Sequence, residues 1–243
     1  MPLNFKATVA YDGTDFCGWQ RQPQSRTVQG VIEEALARIA GCPITVTGAG
    51  RTDAGVHAKG QTTNFRTDIK LGRAELLRAL NALLPEAVRI VSLSRVPDEF
   101  NARKMAKSKV YSYRIHNARP ISPFDIRYVL HWPGPLDADK MARAAGLFVR
   151  EADFTAFSSN RLLHPVRRIV RSDIRRRGAE IVYTVEANGF LRYMVRTIVG
   201  TLLEVGRGRI EPAQVEEIFR QNSRRLAGPT APAKGLCLVK VKY

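Results

Sequence analysis

Residues 48–60 read GAGRTDAGVHAKG, and this glycine-rich stretch organises the interpretation of the whole chain. Its four glycines permit tight turns and close approach of another backbone or a ligand. Between them lie a guanidinium, a carboxylate and an imidazole, from Arg51, Asp53 and His57. A hairpin loop with Asp53 as a turn residue would explain the pattern without chemistry. Functional residues also concentrate on loops of rigid scaffolds. The choice between a structural turn and a functional loop therefore depends on the rest of the chain.

The charge of the chain indicates a polyanionic partner. Its 243 residues carry 39 Lys+Arg against 22 Asp+Glu, a net charge of +17. Such a charge favours nucleic acid or an anionic membrane. No apolar run approaches the roughly 18 residues that a membrane span needs, so we expect nucleic acid and no membrane. The excess is mostly arginine, which grips phosphate bidentately and stacks on bases.

Cysteine usage and the N-terminus predict a reducing location. Cys17, Cys42 and Cys237 are scattered singly, and there is no C-x-x-C pair. We therefore expect three buried or neutral thiols in a reducing compartment, no structural zinc and no metal. The first residues contain no apolar signal region, so we expect a cytoplasmic protein.

The first half of the chain predicts the order strand, helix, strand, strand, helix, strand. The predicted elements are a strand over Leu3–Tyr11, a helix capped by Thr27 and stopped by Gly41 and Pro43, strands over Ile44–Thr47 and Gln61–Phe65, a helix over Arg73–Leu84 and a strand over Val88–Leu93.

A polar, basic connector from Phe100 to Lys109 predicts a domain boundary, with one half over 1–103 and the other over 104–243. The same order then repeats. The predicted elements are a strand over Val110–His116, a helix from Asp137 or Asp139 to Phe148, strands over Val166–Ile174 and Ile181–Glu186, a helix over Leu191–Val205, an extra helix over Glu211–Gln221 and a closing strand from Leu236 to Val241.

This repetition predicts an α+β fold built from two ferredoxin-like halves. The halves would join into one mostly antiparallel sheet, with helices on one face and a central cleft. The repeat is inferred from the order of elements, since the two halves share no visible sequence identity.

An arginine-rich stretch runs from residue 161 to 177, with seven arginines against one acid, Asp173. Strand alternation would place Arg167, Arg171 and Arg175 on one face. A charged edge strand protected from aggregation has this composition. The large overall charge favours a track for phosphates.

Other kinds of chemistry find less support in the residues. Asp12, Asp15, Asp53 and His57 contain the oxygens of a metal site, but turn formation explains the Asp12–Asp15 stretch equally well. No Gly-x-Ser-x-Gly elbow and no deaminase cysteine pair occur. No cofactor motif was found.

Tyr111 is a further candidate, on the predicted strand after the boundary. Tyr113 lies two residues on and so shares its face, and packing requires only one of the two rings.

Taken together, motifs along the chain resemble those of the TruA family of tRNA pseudouridine synthases. They occur in family order and span nearly the whole sequence. Tyr193 departs from the pattern, since many members carry histidine there. The matching segments are Gly50–Ala58 with Gly60 and Gln61, Tyr11–Thr14 with Gly18–Gln20, Thr27–Gly30, Phe100–Arg103, Tyr111–Tyr113, Met194–Arg196, and Ala227–Pro232 with Gly235 and Leu236.

The resemblance implies the pseudouridine synthase fold and a cofactor-independent isomerisation of uridine to pseudouridine. It implies that Asp53 is the essential carboxylate, acting as a nucleophile or as a base through a glycal. Arg196 would be the cation beside it. Tyr111 would stack on the uracil and help to move the C5 proton, and Arg51 would replace the flipped base in its stack.

The resemblance also implies substrates and partners. Family members modify positions 38, 39 and 40 in the anticodon arm of tRNA and act as homodimers. Whether Leu236 or Leu238 packs under the uracil is left open. Two other functions are compatible with parts of the sequence. One is RNA binding without catalysis, and the other is a metal-dependent nuclease activity that uses Asp12, Asp15 and Asp53.

Overall fold

The computed structural model describes residues 2–159 and 164–243, which form two compact units. The first unit ends at Lys107 and includes Cys237–Tyr243, and the second spans Ser108–Leu236. The sequence placed the boundary after residue 103 and assigned the last strand to the second half, so the structure differs on both points.

The first unit is a mostly antiparallel sheet with two helices. Its strand order is β4-β1-β3, with β2 antiparallel and β10 parallel to β3. Helix α2 packs against β4 and α1. The elements are β1 (Leu3–Tyr11), α1 (Val28–Ala40), β2 (Thr47–Gly48), β3 (His57–Thr67), α2 (Arg73–Leu83), β4 (Val88–Arg95) and, from the end of the chain, β10 (Leu236–Lys242).

Strand β10 joins the first unit because its residues pair and pack there. Cys237 and Leu238 pair with the first two residues of β3. A Cβ on Gly60 would lie 2.4 Å from the Val239 carbonyl oxygen, so only glycine permits this approach. The Tyr243 hydroxyl donates to the Ala102 carbonyl at 2.8 Å. These contacts explain why the predicted division at residue 103 differs from the observed units.

Helix α1 forms as the sequence predicts, and it also overturns one predicted strand. Thr27 Oγ1 accepts a hydrogen bond from Gly30 N–H and caps the helix. Ile44–Thr47 was predicted to be a strand, yet only its last residue lies in β2. The Val46 N–H donates to Glu33 and its carbonyl accepts from Gln29, both on α1. Side chains of α1 thus bond the backbone groups of Val46 that a neighbouring strand would otherwise bond.

The second unit has the sheet order β5-β9-β8-β7, with β6 parallel to β5. Helix α3 packs against β8 and α4, and Asp137 caps it by accepting from Lys140 N–H. The elements are β5 (Ser108–His116), β6 (Leu130–His131), α3 (Ala138–Gly146), β7 (Glu151–Asp153), β8 (Val166–Arg177), β9 (Glu180–Ala187), α4 (Met194–Gly206) and α5 (Gln214–Gln221).

The predicted arginine face is wrong at one position, because β8 contains a bulge. Ile169 pairs with Ala187, but Arg171 pairs with Glu186, the residue before Ala187. The alternation of side chains between the two faces of the sheet is therefore shifted by one residue between Ile169 and Arg171. Arg167 therefore shares the face of buried Ile169, and Arg171 and Arg175 share the other. Residues 160–163, where the arginine stretch begins, lie outside the described part of the chain.

The predicted α+β class with mostly antiparallel pairing is confirmed. Among the described residues, no helix is long enough and apolar enough to cross a bilayer.

Candidate active site

The Asp53 loop, residues 49–56, connects β2 to β3 and is fixed through its backbone. Trp19 N–H donates to the Thr52 carbonyl at 3.1 Å, and Val56 N–H donates to the Asp53 carbonyl at 3.2 Å. Backbone groups on both sides of the Asp53 side chain thus have defined partners. The loop presents the carboxylate from a set position.

Two glycines allow the surrounding chain to approach this loop. Gly18 has a φ of +89°, and a Cβ there would lie 2.6 Å from the Thr52 carbonyl oxygen. A Cβ on Gly48 would lie 2.5 Å from the buried Trp19 ring. Both distances are shorter than heavy atoms can tolerate, so any larger residue would displace the loop.

Successive side chains of the loop point to different surroundings. Arg51 is exposed, Thr52 is buried and Asp53 is half-buried. The Tyr11 hydroxyl lies 2.8 Å from Thr52 Oγ1. Burial raises the pKa of the Tyr11 hydroxyl, and the hydrogen bond with Thr52 opposes that rise. Tyr11 stays protonated and anchors the loop from the core side.

His57 follows the loop at the start of β3 and is buried. Its Nδ1 lies 3.1 Å from Gly13 N and 3.1 Å from Asp12 Oδ1. Asp12 also accepts from the Thr14 N–H at 3.0 Å, the bond expected of a turn residue. Within residues 2–159 and 164–243, no group of three or more His, Cys, Asp or Glu side chains could hold a metal ion.

Arg51 is tethered at the surface of the first unit. Its Nε donates to Gln20 Oε1 at 3.1 Å, and Gln20 Nε2 donates to Gln29 Oε1 at 2.8 Å. The guanidinium is therefore exposed but partly ordered by a chain of amides that leads into α1.

Tyr111 lies on β5 with an aromatic partner. Its buried ring meets Phe190 edge-on, with centroids 5.2 Å apart and planes at 88°. Tyr113, two residues on, is completely buried, and its hydroxyl donates to the Pro232 carbonyl at 2.8 Å. Tyr113 thus has the packing role that the sequence required of one ring, and Tyr111 keeps an aromatic surface supported by Phe190.

Arg196 lies in the first turn of α4 and is half-buried. Its Nε donates to the Ala231 carbonyl at 2.7 Å, and the Ala231 N–H donates back to the Arg196 carbonyl at 3.0 Å. Its guanidinium carbon lies 5.0 Å from the centroid of the Tyr193 ring. Burial raises the pKa of the Tyr113 hydroxyl, and the positive charge of Arg196 opposes that rise.

The Ala231 segment, residues 227–232, is packed tightly on α4. A Cβ on Gly200 would lie 1.6 Å from the Pro229 carbonyl oxygen. Gly228 N–H donates to Thr201 Oγ1 at 2.9 Å, and Arg224 donates to the Gly228 carbonyl at 2.9 Å. The partner of Arg196 is therefore held as firmly as the helix itself.

The structure places Arg51 and Asp53 two residues apart in the first unit, and Tyr111 and Arg196 in the second. The sequence did not single out Thr52, Gln20 or Phe190, although each contacts a predicted site residue or its loop. Gln20 lies within a segment that matched the family pattern, which was an available signal. No local signal marked Phe190.

Comparison with known proteins agrees with the motifs. A family model described as tRNA pseudouridine synthase matches residues 7–103 and 144–243. The chain belongs to the tRNA pseudouridine synthase family. A tRNA pseudouridine synthase A from Thermodesulfovibrio yellowstonii is 40% identical over 253 residues, covering 99% of this chain and 100% of that protein.

Two further relatives extend this result. The tRNA pseudouridine synthases A of Moorella thermoacetica and Brevibacillus brevis are 43% and 44% identical, each over 98% of both chains.

A solved chain from an archaeal box H/ACA sRNP Nop10-Cbf5 complex aligns with 94% of this chain and 58% of its own length. Its identity is 11% and its TM-score 0.37, too low to carry an argument.

The predicted TruA-family membership and the predicted enzyme class are confirmed by these relatives. This tRNA pseudouridine synthase is an isomerase that converts uridine in tRNA to pseudouridine. The site residues themselves, Asp53, Tyr111, Arg196 and Arg51, stay predictions.

Proposed function

We propose that this synthase isomerises uridines at positions 38, 39 and 40 of the tRNA anticodon stem-loop, with Asp53 as its essential carboxylate and without a metal or cofactor. The observation that carries the proposal is the fixed, half-buried presentation of Asp53 on a loop whose backbone is bonded on both sides. Catalytic groups need such preorganisation, because a small displacement costs much of the rate.

The reaction balances without a co-reactant. The bond between C1′ and N1 breaks, the uracil turns, a bond forms between C1′ and C5, and the C5 proton leaves while N1 gains one. Asp53 supports the cleavage either as a nucleophile or as the base that leads to a glycal. Both routes require an ionised carboxylate, which a cation stabilises inside a dry site.

The other predicted residues receive distinct roles in this proposal. Arg196 supplies the cation that keeps the carboxylate ionised. Tyr111, whose ring Phe190 supports, stacks on the flipped uracil and assists transfer of the C5 proton. Arg51 occupies the space that the flipped base leaves, and its exposed guanidinium suits that task. Base–aromatic stacking recovers ~1–3 kcal/mol of the extraction cost.

Electrostatic attraction holds the tRNA in this proposal. After the bulge in β8, Arg171, Arg175 and Arg177 share one face with Asp173, and Arg168 before the bulge belongs to the same face. A strip of this kind suits a phosphate backbone and makes binding strongly dependent on salt. We propose in addition that the protein acts as a homodimer, as the family resemblance implies, and that it lies in the cytoplasm, as its three scattered cysteines indicate.

The deciding experiment follows tritium released from C5 of uridine in tRNA. Formation of pseudouridine replaces the C5 hydrogen, so release reports turnover. We expect release by the wild type in EDTA, and loss of at least ~10³-fold in Asp53→Asn, because the amide cannot act as base or nucleophile. Replacing uridines 38, 39 and 40 by cytidine in the transcript should abolish release.

Asp15→Asn is the matched control, since it makes the same change at an exposed carboxylate in a nearby loop. It should keep full activity, and all variants should bind tRNA as the wild type does. Full activity of Asp53→Asn would refute the catalytic assignment, and release that EDTA abolishes would favour a metal-dependent reaction. Release from the cytidine-substituted transcript would place the target uridines elsewhere.

A further inference from the structure

Tyr193 has a backbone conformation that aromatic residues rarely adopt. Its φ is 61° and its ψ is 2°, in the left-handed region. Within the described part of the chain, Gln24 and Asn222 are the other non-glycine residues with positive φ. Asn222 ends helix α5, where asparagine is an ordinary choice. A tyrosine in this region is strained, and such strain persists where the surroundings impose it, often at functional sites.

The Tyr193 ring contacts two guanidinium groups. The guanidinium carbons of Arg192 and Arg196 lie 4.9 and 5.0 Å from the ring centroid, within the range of cation–π attraction. Arg192 Nη2 also donates to the Tyr193 hydroxyl at 3.3 Å. The ring thus lies beside the cation to which the proposed function assigns the support of Asp53.

Arg196 needs such support because of its position in the helix. It is the third residue of α4, and no acidic residue occurs in the first turn. The helix dipole disfavours a positive charge there. The Ala231 carbonyl holds Nε, and the Tyr193 ring lies against the guanidinium. Tyr193 is the N-cap residue of α4, and its carbonyl accepts from Thr197 N–H at 2.9 Å.

We propose that Tyr193 is a positioning residue: its strained backbone places the ring against Arg196 and fixes the direction of that guanidinium during uridine isomerisation. This inference rests on the proposed role of Arg196. It assigns Tyr193 no contact with the reacting atoms. In this proposal the ring acts on Arg196, whereas the hydroxyl accepts a hydrogen bond from Arg192.

Three substitutions separate the ring, the hydroxyl and the backbone strain. Tyr193→Leu keeps the strain but removes the ring. Tyr193→Phe keeps the ring, and Tyr193→Asn removes the ring while relieving the strain, because asparagine tolerates the left-handed region. Each purified variant is measured for kcat of tritium release, Kd for tRNA and thermal midpoint.

We expect Tyr193→Leu to lower kcat about 10-fold, the size of one partly desolvated cation–π contact, with less than threefold change in Kd. Tyr193→Phe should restore kcat to within about twofold of the wild type. Tyr193→Asn should lower kcat as Tyr193→Leu does while its thermal midpoint is equal to or above that of the wild type. A purely structural residue would instead lower the midpoint whenever its ring is removed.

Substitution of Arg196 distinguishes this inference from the proposed function. If Arg196→Gln keeps wild-type kcat, the role of Arg196 is wrong and the inference fails with it. If Arg196→Gln loses activity while Tyr193→Leu keeps wild-type kcat, only the inference is wrong. In an Arg196→Lys background, Tyr193→Leu should lower kcat less than threefold; a full 10-fold loss there would show that the ring acts independently of Arg196 and overturn the inference.

Discussion

The Asp53 loop and the turn around Arg196 are both rigid, but they are fixed by different means. In the first, backbone hydrogen bonds and close approaches at glycines hold the loop against the surrounding chain. In the second, the hydrogen bond to the Ala231 carbonyl and the contact with the Tyr193 ring are among the interactions that orient a long, flexible side chain. Beyond its backbone an aspartate side chain has two torsions to fix, whereas an arginine side chain has four.

The two regions should therefore tolerate different substitutions. Around Asp53, the sensitive positions are those where an added atom would collide with backbone. Around Arg196, the sensitive positions include side chains that only touch the guanidinium, together with the glycine contact that holds the Ala231 segment against α4.

The largest effect on folding is expected for Gly200→Ala. Its Cβ would lie 1.6 Å from the Pro229 carbonyl oxygen, so helix α4 and the Ala231 segment must separate. We expect a loss of about 4 kcal/mol or more, at the severe end for single substitutions. The midpoint of urea unfolding measures it. Gly146→Ala on α3 is the control, since its Cβ meets nothing within 4 Å; equal midpoints in the two variants would contradict the described packing.

A smaller effect is expected for Gly18→Ala, beside the Asp53 loop. It combines a φ of +89° with a Cβ 2.6 Å from the Thr52 carbonyl oxygen. We expect a loss of ~2–3 kcal/mol and a lower kcat, because the loop itself must shift.

Gly41→Ala provides the comparison for Gly18→Ala, since its φ is +72° but nothing lies within 4 Å of the added Cβ. It measures backbone strain alone and should cost about 1 kcal/mol with kcat unchanged. If the two variants agree in both urea midpoint and kcat, close approach at Gly18 does not hold the loop.

The smallest effects are expected from removing one buried hydroxyl in each region. Tyr11→Phe breaks the contact with Thr52, and Tyr113→Phe breaks the bond to the Pro232 carbonyl. Each should cost about 1 kcal/mol near pH 8, measured by urea unfolding. The Tyr113 variant should be the costlier, because it leaves a carbonyl without its donor.

These two tyrosines also predict a dependence of stability on pH. Burial raises the pKa of both hydroxyls, so folding favours their protonated forms. Their contribution is complete below the unfolded pKa of about 10 and is lost as the pH rises towards the folded pKa. Between pH 8 and 11 the wild type should therefore lose more stability than either phenylalanine variant. Equal losses in all three proteins would contradict the raised pKa values.

The sequence predicted what depends on local pattern and short motifs. Strand Leu3–Tyr11, the Thr27 cap and the Asp53 loop all follow from alternation, capping chemistry and glycine content. The Ile44–Thr47 strand failed because Gln29 and Glu33, distant in sequence, satisfy the backbone of Val46. Strand propensity cannot predict that side chains of a helix will bond the backbone groups that a neighbouring strand would otherwise bond.

The other incorrect predictions also concern features that the local sequence pattern does not show. A single bulge moved Arg167 away from the face of Arg171 and Arg175, and alternation carries no sign of a bulge. The helix predicted from Leu191 begins at Met194, because Tyr193 adopts a left-handed conformation that its residue type disfavours. Positions at which the local rules fail are candidates for function, and Tyr193 is one.

The pairing of β10 with β3 has a consequence for the order of events during synthesis. Residues 237–243 belong to the first unit, yet the ribosome makes them only after all of the second unit. The start of β3 therefore lacks its β10 partner while more than a hundred further residues are synthesised. During that interval the unpaired backbone at the start of β3 is exposed to chaperones and to pairing with other chains.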